Sequence, residues 1–459
     1  MPAEGRHRAL LALLAALGLC RLYRPTDGPF LGDQAQLLLH AIGLNQTGEL
    51  ATYGLPGARG IDYGPAPIWF YQACLHVTSD LAAIALARDA LVTLATAAAL
   101  AGLARAWPRL DPRFGAVALL SPYLWVYSRD SWDNSFLIPL MGGAFAGYVA
   151  FCRAPRLRTL ALVLACLTLA LLTHLMCVPV VAAIVLHALV AHRGWLAARR
   201  VPVLLLVANA LAVMAPYLYH AASQLPSATL PLAFQPSSVA FALGPARPFT
   251  ALGCEYFFGD AWYALPGATA GLIAVLALTG LAHLFFWGGA AMALREVRAT
   301  PAAAVALLAL ALTAGSLVLN HLSVHPHYYS AVWPAAFLCV WAGLTAAWER
   351  GPTGRALIAA YVLALAIALA ASIACVRARG GARTLHFGPS LTSWLAIARE
   401  LRGYDPRSPV ALPLDDPYFP LVLSALRRLD GGTGPVRELR VEYRSARPSD
   451  ARLALREVR

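Results

Sequence analysis

Residues 202–220 read PVLLLVANALAVMAPYLYH, a stretch with no Asp, Glu, Lys or Arg that follows the paired arginines Arg199 and Arg200 by one residue, Val201. A run of that length, rich in Leu, Ala and Val, matches the hydrocarbon thickness of a bilayer when coiled as a helix. It lacks the period-2 alternation that a lipid-facing strand requires. Comparable runs lie near 9–23, 81–104, 114–128, 134–152, 159–174, 175–192, 265–291, 300–319, 328–348 and 355–376, so about eleven transmembrane helices are predicted. Of the 459 residues 59% are hydrophobic and only 13% charged, with mean hydropathy +0.62, which leaves too few charges to cover the apolar surface in water. The chain reads as an all-α polytopic membrane protein.

The net charge of +13 comes from arginine alone, because the sequence contains no lysine. The arginines sit mainly in short inter-helix loops and a C-terminal tail, a distribution that argues against nucleic-acid binding. With Arg6 and Arg8 on the cytoplasmic side, every predicted inner loop carries at least two arginines: Arg105, Arg109 and Arg113; Arg153, Arg156 and Arg158; Arg193, Arg199 and Arg200; Arg295 and Arg298; Arg350 and Arg355. The positive-inside rule then places the N-terminus in the cytoplasm and the C-terminus outside. Lysine-free, Ala-, Arg- and Leu-heavy usage points to a high-GC bacterium, and so to a bacterial inner membrane. The cysteines are scattered through apolar runs, which indicates neither a disulfide framework nor a zinc site. Residues 9–20 resemble a signal peptide or lipobox, but Leu19 stands where a small residue is needed, so an uncleaved first span is expected.

These spans divide the chain into a transmembrane region over 1–376 and a small extracytoplasmic α/β unit over 377–459, where VALPLD alternates and SWLAIAREL is amphipathic. Two long external loops interrupt the first region, at about 24–80 and 221–264. The former contains FLGDQAQLLLHAIGLN, whose apolar positions recur at helical spacing, as in a helix lying along the interface. No internal repeat of the kind found in many secondary transporters is evident.

Acids concentrate on the predicted outer face: Asp27, Asp33, Glu49, Asp62, Asp80, Asp130, Asp133, Glu255 and Asp260. Asp33 admits two readings, a helix N-cap or a general base held in a partly desolvated pocket. The stretch SPYLWVYSRDSWDNSFLIP, 121–139, puts Arg129, Asp130 and Asp133 in one short turn. There Arg129 and Asp133 form either an i, i+4 ion pair or a phosphate contact in which Asp133 orients the guanidinium. The stretch SVHPHYYSAVWPA, 323–335, with His321 just upstream, admits three readings: a metal site, an interfacial aromatic belt, or a lipid-phosphate mouth formed by His325, His327, Tyr328 and Tyr329. It lacks an HExxH pattern, Pro326 breaks the helical spacing, and no metal site is assigned, although a divalent cation is compatible with the chemistry. Asp62, in RGIDYGPAP, either starts a turn or helps position an acceptor beside Tyr63.

Five passages together resemble the C-type polytopic glycosyltransferases, the superfamily of the lipid-A sugar, protein mannosyl and rhizobial galacturonosyl transferases: FLGDQAQLLLHA, YGPAPIWFYQA, SPYLWVYSRDSWDN, LALLTHLMCVPVV and HPHYYSAVWPA. They span roughly residues 9–350 in order. The resemblance implies an enzyme that moves a sugar, with inversion, from a polyprenyl-phosphate donor to a lipid, glycan or protein acceptor at the external face. Asp33 matches the catalytic acid of the first loop. Gln34 departs from the Asp-Glu pair common there, and His174 stands where lysine is usual. Two other classes fit a polytopic chain, a transporter or flippase and a non-catalytic envelope-polysaccharide assembly subunit. Against transport stands the near absence of mid-span ionisable residues, with Asp89 the exception.

Overall fold

The computed structural model describes residues 3–57, 59–228, 244–250, 268–298, 300–319, 325–382, 387–405, 407–411, 419–429, 437, 439–444 and 451–457. Most of the predicted loop 221–264 falls outside them, as do Glu255, Asp260, His321 and the 412–415 part of VALPLD.

The first helix, α1 (Ala3–Leu22), ends at Arg24, whose φ of 55° turns the chain into a 3-10 turn at Pro25–Asp27. The amphipathic stretch forms α2 (Gly32–Thr47), closed by Gly48 in the left-handed conformation. Next come α3 (Ala66–Val77), α4 (Leu81–Ala106), a 3-10 segment (Pro112–Leu120), α5 (Pro122–Arg129), α6 (Asp133–Arg153), α7 (Leu157–Leu171), α8 (Val178–Ala191), α9 (Arg193–Ala198) and α10 (Arg200–Gln224). After the loop come α11 (Ala268–Glu296), α12 (Pro301–Leu319), α13 (Trp333–Glu349) and α14 (Pro352–Arg379).

Six of these helices contain a segment long and apolar enough to cross a membrane, namely α4, α6, α10, α11, α12 and α14. On α10 the outward leucines Leu204 and Leu205 are 64% and 61% exposed, a surface that only lipid can solvate. The chain is a multi-pass membrane protein. The predicted span at 114–128 has another form. Ser121 accepts from the Leu124 N–H at 3.1 Å and caps α5, so the apolar run is broken into a 3-10 segment and an eight-residue helix, both buried. Hydropathy counts apolar residues and does not register this break.

Helix α13 is buried almost all round, as its uniformly apolar surface requires. It packs against α11 through facing glycines, where a Cβ on Gly289 would overlap the Cys339 carbonyl and one on Gly343 the Phe285 carbonyl. The Trp333 indole donates to the Ile138 carbonyl at 2.9 Å and ties α13 to α6. The tail adds α15 (Leu391–Leu401), α16 (Phe419–Leu429) and a mixed sheet, in which β1 (Val410–Ala411) runs parallel to β2 (Leu439–Tyr443) and β2 antiparallel to β3 (Leu453–Glu457). SWLAIAREL is therefore a helix, and α16 packs on α2. The tail also grips the approach to Asp33. The Leu391 N–H donates to the Gly28 carbonyl at 3.0 Å, Pro29 bridges Ser390, and Arg377 pairs with Asp27 at 2.9 Å.

Because the two helix backbones touch at Gly343, Gly343→Leu is expected to lower the melting temperature of the detergent-solubilised protein, at a cost of about 1–3 kcal/mol or more. Gly315, whose side-chain position is open, provides the control. Gly315→Leu should be neutral or slightly stabilising by helix propensity, and equal loss in both variants would contradict the packing described.

Candidate active site

The α2 end of the bundle gathers residues from the five sequence passages. Asp33 lies in the first turn of α2 but does not cap it. Leu31 is the N-cap, and the Gln34 side chain performs the capping by accepting the Leu31 N–H at 2.9 Å. The cap reading of Asp33 is thus replaced by a free-standing carboxylate, exposed to solvent yet crowded by protein, and burial raises its pKa above the usual value.

The amide of Gln34 donates to Asp130 Oδ1 at 2.6 Å, so Gln34 ties the start of α2 to the turn before α6. Asp130 and Asp133 are 3% and 1% exposed, and both lie within the field of Asp33. Burial, helped by Asp33 and opposed by the Gln34 hydrogen bond and the Arg88 charge, pushes the Asp130 carboxyl up to about 7. Asp133 opens α6 and takes the Asn134 amide at 2.9 Å on Oδ1, while its Oδ2 and Asn134 Oδ1 are buried without a protein partner. Arg129 is turned away from Asp133. Its Nη1 donates to the Arg24 carbonyl at 2.6 Å, and Nη2 to the carbonyls of Arg21 and Tyr23, which end α1.

Beside these carboxylates stands an aromatic and imidazole group. His327 packs edge-on against Trp132 at 4.7 Å between ring centroids, stacks with His325 at 5.5 Å, and meets Tyr328 at 4.5 Å and His174 at 6.5 Å. His174 in turn stacks on Tyr63 at 3.8 Å. This contact depends on Gly64, where any Cβ would overlap the Leu172 backbone, and on the Ala66 N–H that donates to the Leu172 carbonyl at 2.9 Å. Tyr329 is buried behind the group, within the field of Arg247, and Tyr328 lies within that of Arg59.

Hydrogen bonding fixes the tautomer of His174. The Met176 N–H donates to Nδ1 at 3.1 Å, so the proton of the neutral ring resides on Nε2. That N–H is buried without a protein partner, and so is the Trp132 indole N–H. Two rings that each carry an unpaired N–H donor thus flank His327, and two unpaired acceptors lie one and two residues beyond Trp132. Unmet buried donors and acceptors are costly, and their concentration here is what a ligand bearing both anionic oxygens and hydroxyls would relieve. Among the described residues no group of three or more His, Cys, Asp or Glu is arranged to hold a metal ion.

Asp62 stands apart in a second polar group. Its Oδ2 accepts from His220 Nε2 at 2.9 Å and Gln224 at 2.8 Å, and its carbonyl accepts the Tyr217 hydroxyl at 3.0 Å, which anchors the first loop to α10.

Two solved structures share this architecture end to end. ArnT from Cupriavidus metallidurans in the apo state superposes with TM-score 0.57 at 13% identity, covering 94% of this chain and 92% of that one. ArnT bound to undecaprenyl phosphate gives 0.53 at 14% identity, with coverages of 94% and 93%. The chain has the ArnT fold. No protein-family model and no curated sequence matches it. Within the ArnT fold, the sequence had indicated Asp33, Asp130, Asp133, Tyr63, His325, His327 and Tyr328, which the structure gathers at one end. Trp132 and His174 were missed as donors, because their significance lies in an unpaired N–H that only tertiary packing reveals.

Asp130 supplies a test. Its folded pKa lies above the unfolded value of about 4, so its folded-state advantage is complete below that value and is lost as pH rises through about 7. Asp130→Asn should therefore gain stability relative to wild type between pH 4 and 7, reaching a few kcal/mol at most, and change little above pH 7. Thermal unfolding across that range checks this, and a difference independent of pH would contradict it.

Proposed function

We propose that this protein is an integral-membrane glycosyltransferase that moves a sugar from a polyprenyl-phosphate donor to a lipid, glycan or protein acceptor. The observation that carries the reading is the pairing, at one end of the bundle, of unpartnered buried donors on His174 and Trp132 with three interacting aspartates, of which Asp33 alone is open. The ArnT fold and the undecaprenyl phosphate held by the ArnT neighbour support it. The arginine distribution supports a bacterial inner-membrane location with the N-terminus cytoplasmic and the site outside, 1–376 carrying the transferase and 377–459 an extracytoplasmic unit.

In this reading Asp33 accepts the proton of the acceptor hydroxyl while that oxygen attacks the anomeric carbon from the face opposite the phosphate. The carbon–oxygen bond to the phosphate breaks, and the configuration inverts. A carboxyl raised by crowding is a better base for this than an ordinary surface aspartate. The departing phosphate gathers negative charge, which the N–H groups of His174 and Trp132, with His325, His327 and Tyr328, stabilise by hydrogen bonds. Tyr329 supports that group from behind. Asp133 and Asn134 offer acceptors to sugar hydroxyls, and Asp130 tunes the charge beside Asp33. Arg129 acts indirectly, by fixing the end of α1 from which the Asp33 loop departs. Asp62 and Tyr63 hold the first loop against α10 and His174, on the acceptor side.

The transporter alternative requires ionisable groups at mid-span. The buried pair in α4, Arg88 and Asp89, lies instead about two turns from the helix start and contacts the site turn through Ser131.

Purified protein in membranes, supplied with radiolabelled polyprenyl-phosphate sugars, should transfer sugar. Asp33→Asn should reduce kcat by about 10²–10⁴, whereas His174→Ala should mainly weaken stabilisation of the leaving phosphate and lower kcat/KM for the donor. No turnover of any donor would overturn the enzymatic reading, and wild-type activity in Asp33→Asn would overturn the assignment of the base.

A further inference from the structure

Arg88 and Asp89 are 1% and 2% exposed within a membrane-crossing helix, where an ionised pair is costly unless it is well partnered. As successive residues they leave α4 about 100° apart, so their contact requires the arginine to wrap back. Its Nε and Nη2 donate to Asp89 Oδ1 at 3.1 and 2.7 Å. This leaves Nη1, which donates to the hydroxyl of Ser131. From α3, the Tyr71 hydroxyl donates to the carbonyl of the same Ser131 at 2.8 Å. Ser131 is thus held at both its side chain and its backbone, with Asp130 before it and Trp132 and Asp133 after it.

The groups acting on Asp130 come from every element around it: Asp33 and Gln34 from α2, Tyr71 from α3, Arg88 from α4 and Asp133 from α6. Arg88 is the cation that acts on its carboxylate. Behind it, Asp89 lies in the fields of Arg88, Arg129 and Arg21, and the latter two donate through their terminal nitrogens to carbonyls and to the Ser128 hydroxyl. A neutral hydrogen-bonding residue would suffice to staple α4 to the turn. An arginine locked by an adjacent aspartate supplies a directed charge as well.

We propose that Arg88, clamped by Asp89, is a positioning residue of the sugar-transfer site, fixing Ser131 so that Asp130 and Asp133 keep their spacing to Asp33 and Asp130 can ionise beside them. This rests on the glycosyltransferase reading for its consequence in turnover, but its structural core can be read without turnover.

The test uses full-length protein in membranes with Arg88→Gln, Arg88→Lys and Asp89→Asn. Dicyclohexylcarbodiimide, an apolar reagent that modifies protonated carboxyls, is applied across a pH series, and modification of Asp130 is mapped by mass spectrometry. Arg88→Gln should move the labelling midpoint of Asp130 upward by about one pH unit or more, since removing an adjacent cation favours the protonated form. Arg88→Lys should restore the midpoint while losing the fork that holds Ser131. In the transfer assay Arg88→Gln should lower kcat by about tenfold or more with donor KM nearly unchanged, and Arg88→Lys should recover part of it. An unchanged midpoint in Arg88→Gln overturns the proposal, as does a donor KM that rises while the midpoint stays fixed. If Arg88→Gln fails to fold, Ser131→Ala tests the tether, with altered kcat at constant KM expected and wild-type kinetics overturning it. A shifted midpoint in a protein that transfers no sugar would sink the glycosyltransferase reading and leave the positioning role standing.

Discussion

Three arginines buried at one level of the bundle, Arg21, Arg88 and Arg129, impose the constraint on which the site depends. No guanidinium can lie in that environment without acceptors. Arg21 takes the carbonyls of Leu119 and Leu124 with the Ser128 hydroxyl, Arg129 takes the carbonyls that end α1, and Arg88 takes Asp89 and Ser131. These bonds fix where α1 ends, where α5 ends and how the turn between α5 and α6 is presented. Gly28 belongs to the same arrangement, since a Cβ there would overlap the Arg129 carbonyl, and the tail then seals the loop through Leu391 and Arg377. Asp33 emerges from this anchored segment, and Asp130 and Asp133 from the other side of it.

The chemical consequence is a division of labour. These three arginines donate to backbone carbonyls, two serine hydroxyls and one aspartate, so the unpaired donors beside His327 are an indole and an imidazole of fixed tautomer, with the carboxylates of Asp33, Asp130 and Asp133 nearby. A site of that kind suits a substrate that brings its own anion and its own hydroxyls. Gln34 fits the same logic. It caps α2 with its side-chain carbonyl oxygen and holds Asp130 with its amide, so a carboxylate from the turn between α5 and α6 is kept near Asp33.

The all-α membrane architecture was legible in runs such as 202–220 because hydropathy and length depend on no tertiary contact. The helix around Asp33 was legible from its apolar spacing, and the C-terminal α/β unit from its change of pattern. Other features were hidden because the deciding contact lies far away in sequence. The run 114–128 is a broken, buried segment rather than one helix, and Arg129 faces carbonyls more than a hundred residues away rather than the aspartate four residues on. His174 is informative only once Met176 fixes its tautomer and packing leaves its second nitrogen unpaired.

The measurement that bears most directly on the account is a cryo-electron microscopy structure of the protein in lipid nanodiscs with a polyprenyl phosphate. Phosphate density is expected within hydrogen-bond distance of the His174 and Trp132 N–H groups, next to His327, with the prenyl chain leaving toward lipid. A phosphate held elsewhere, with those two donors still unpaired, would contradict it.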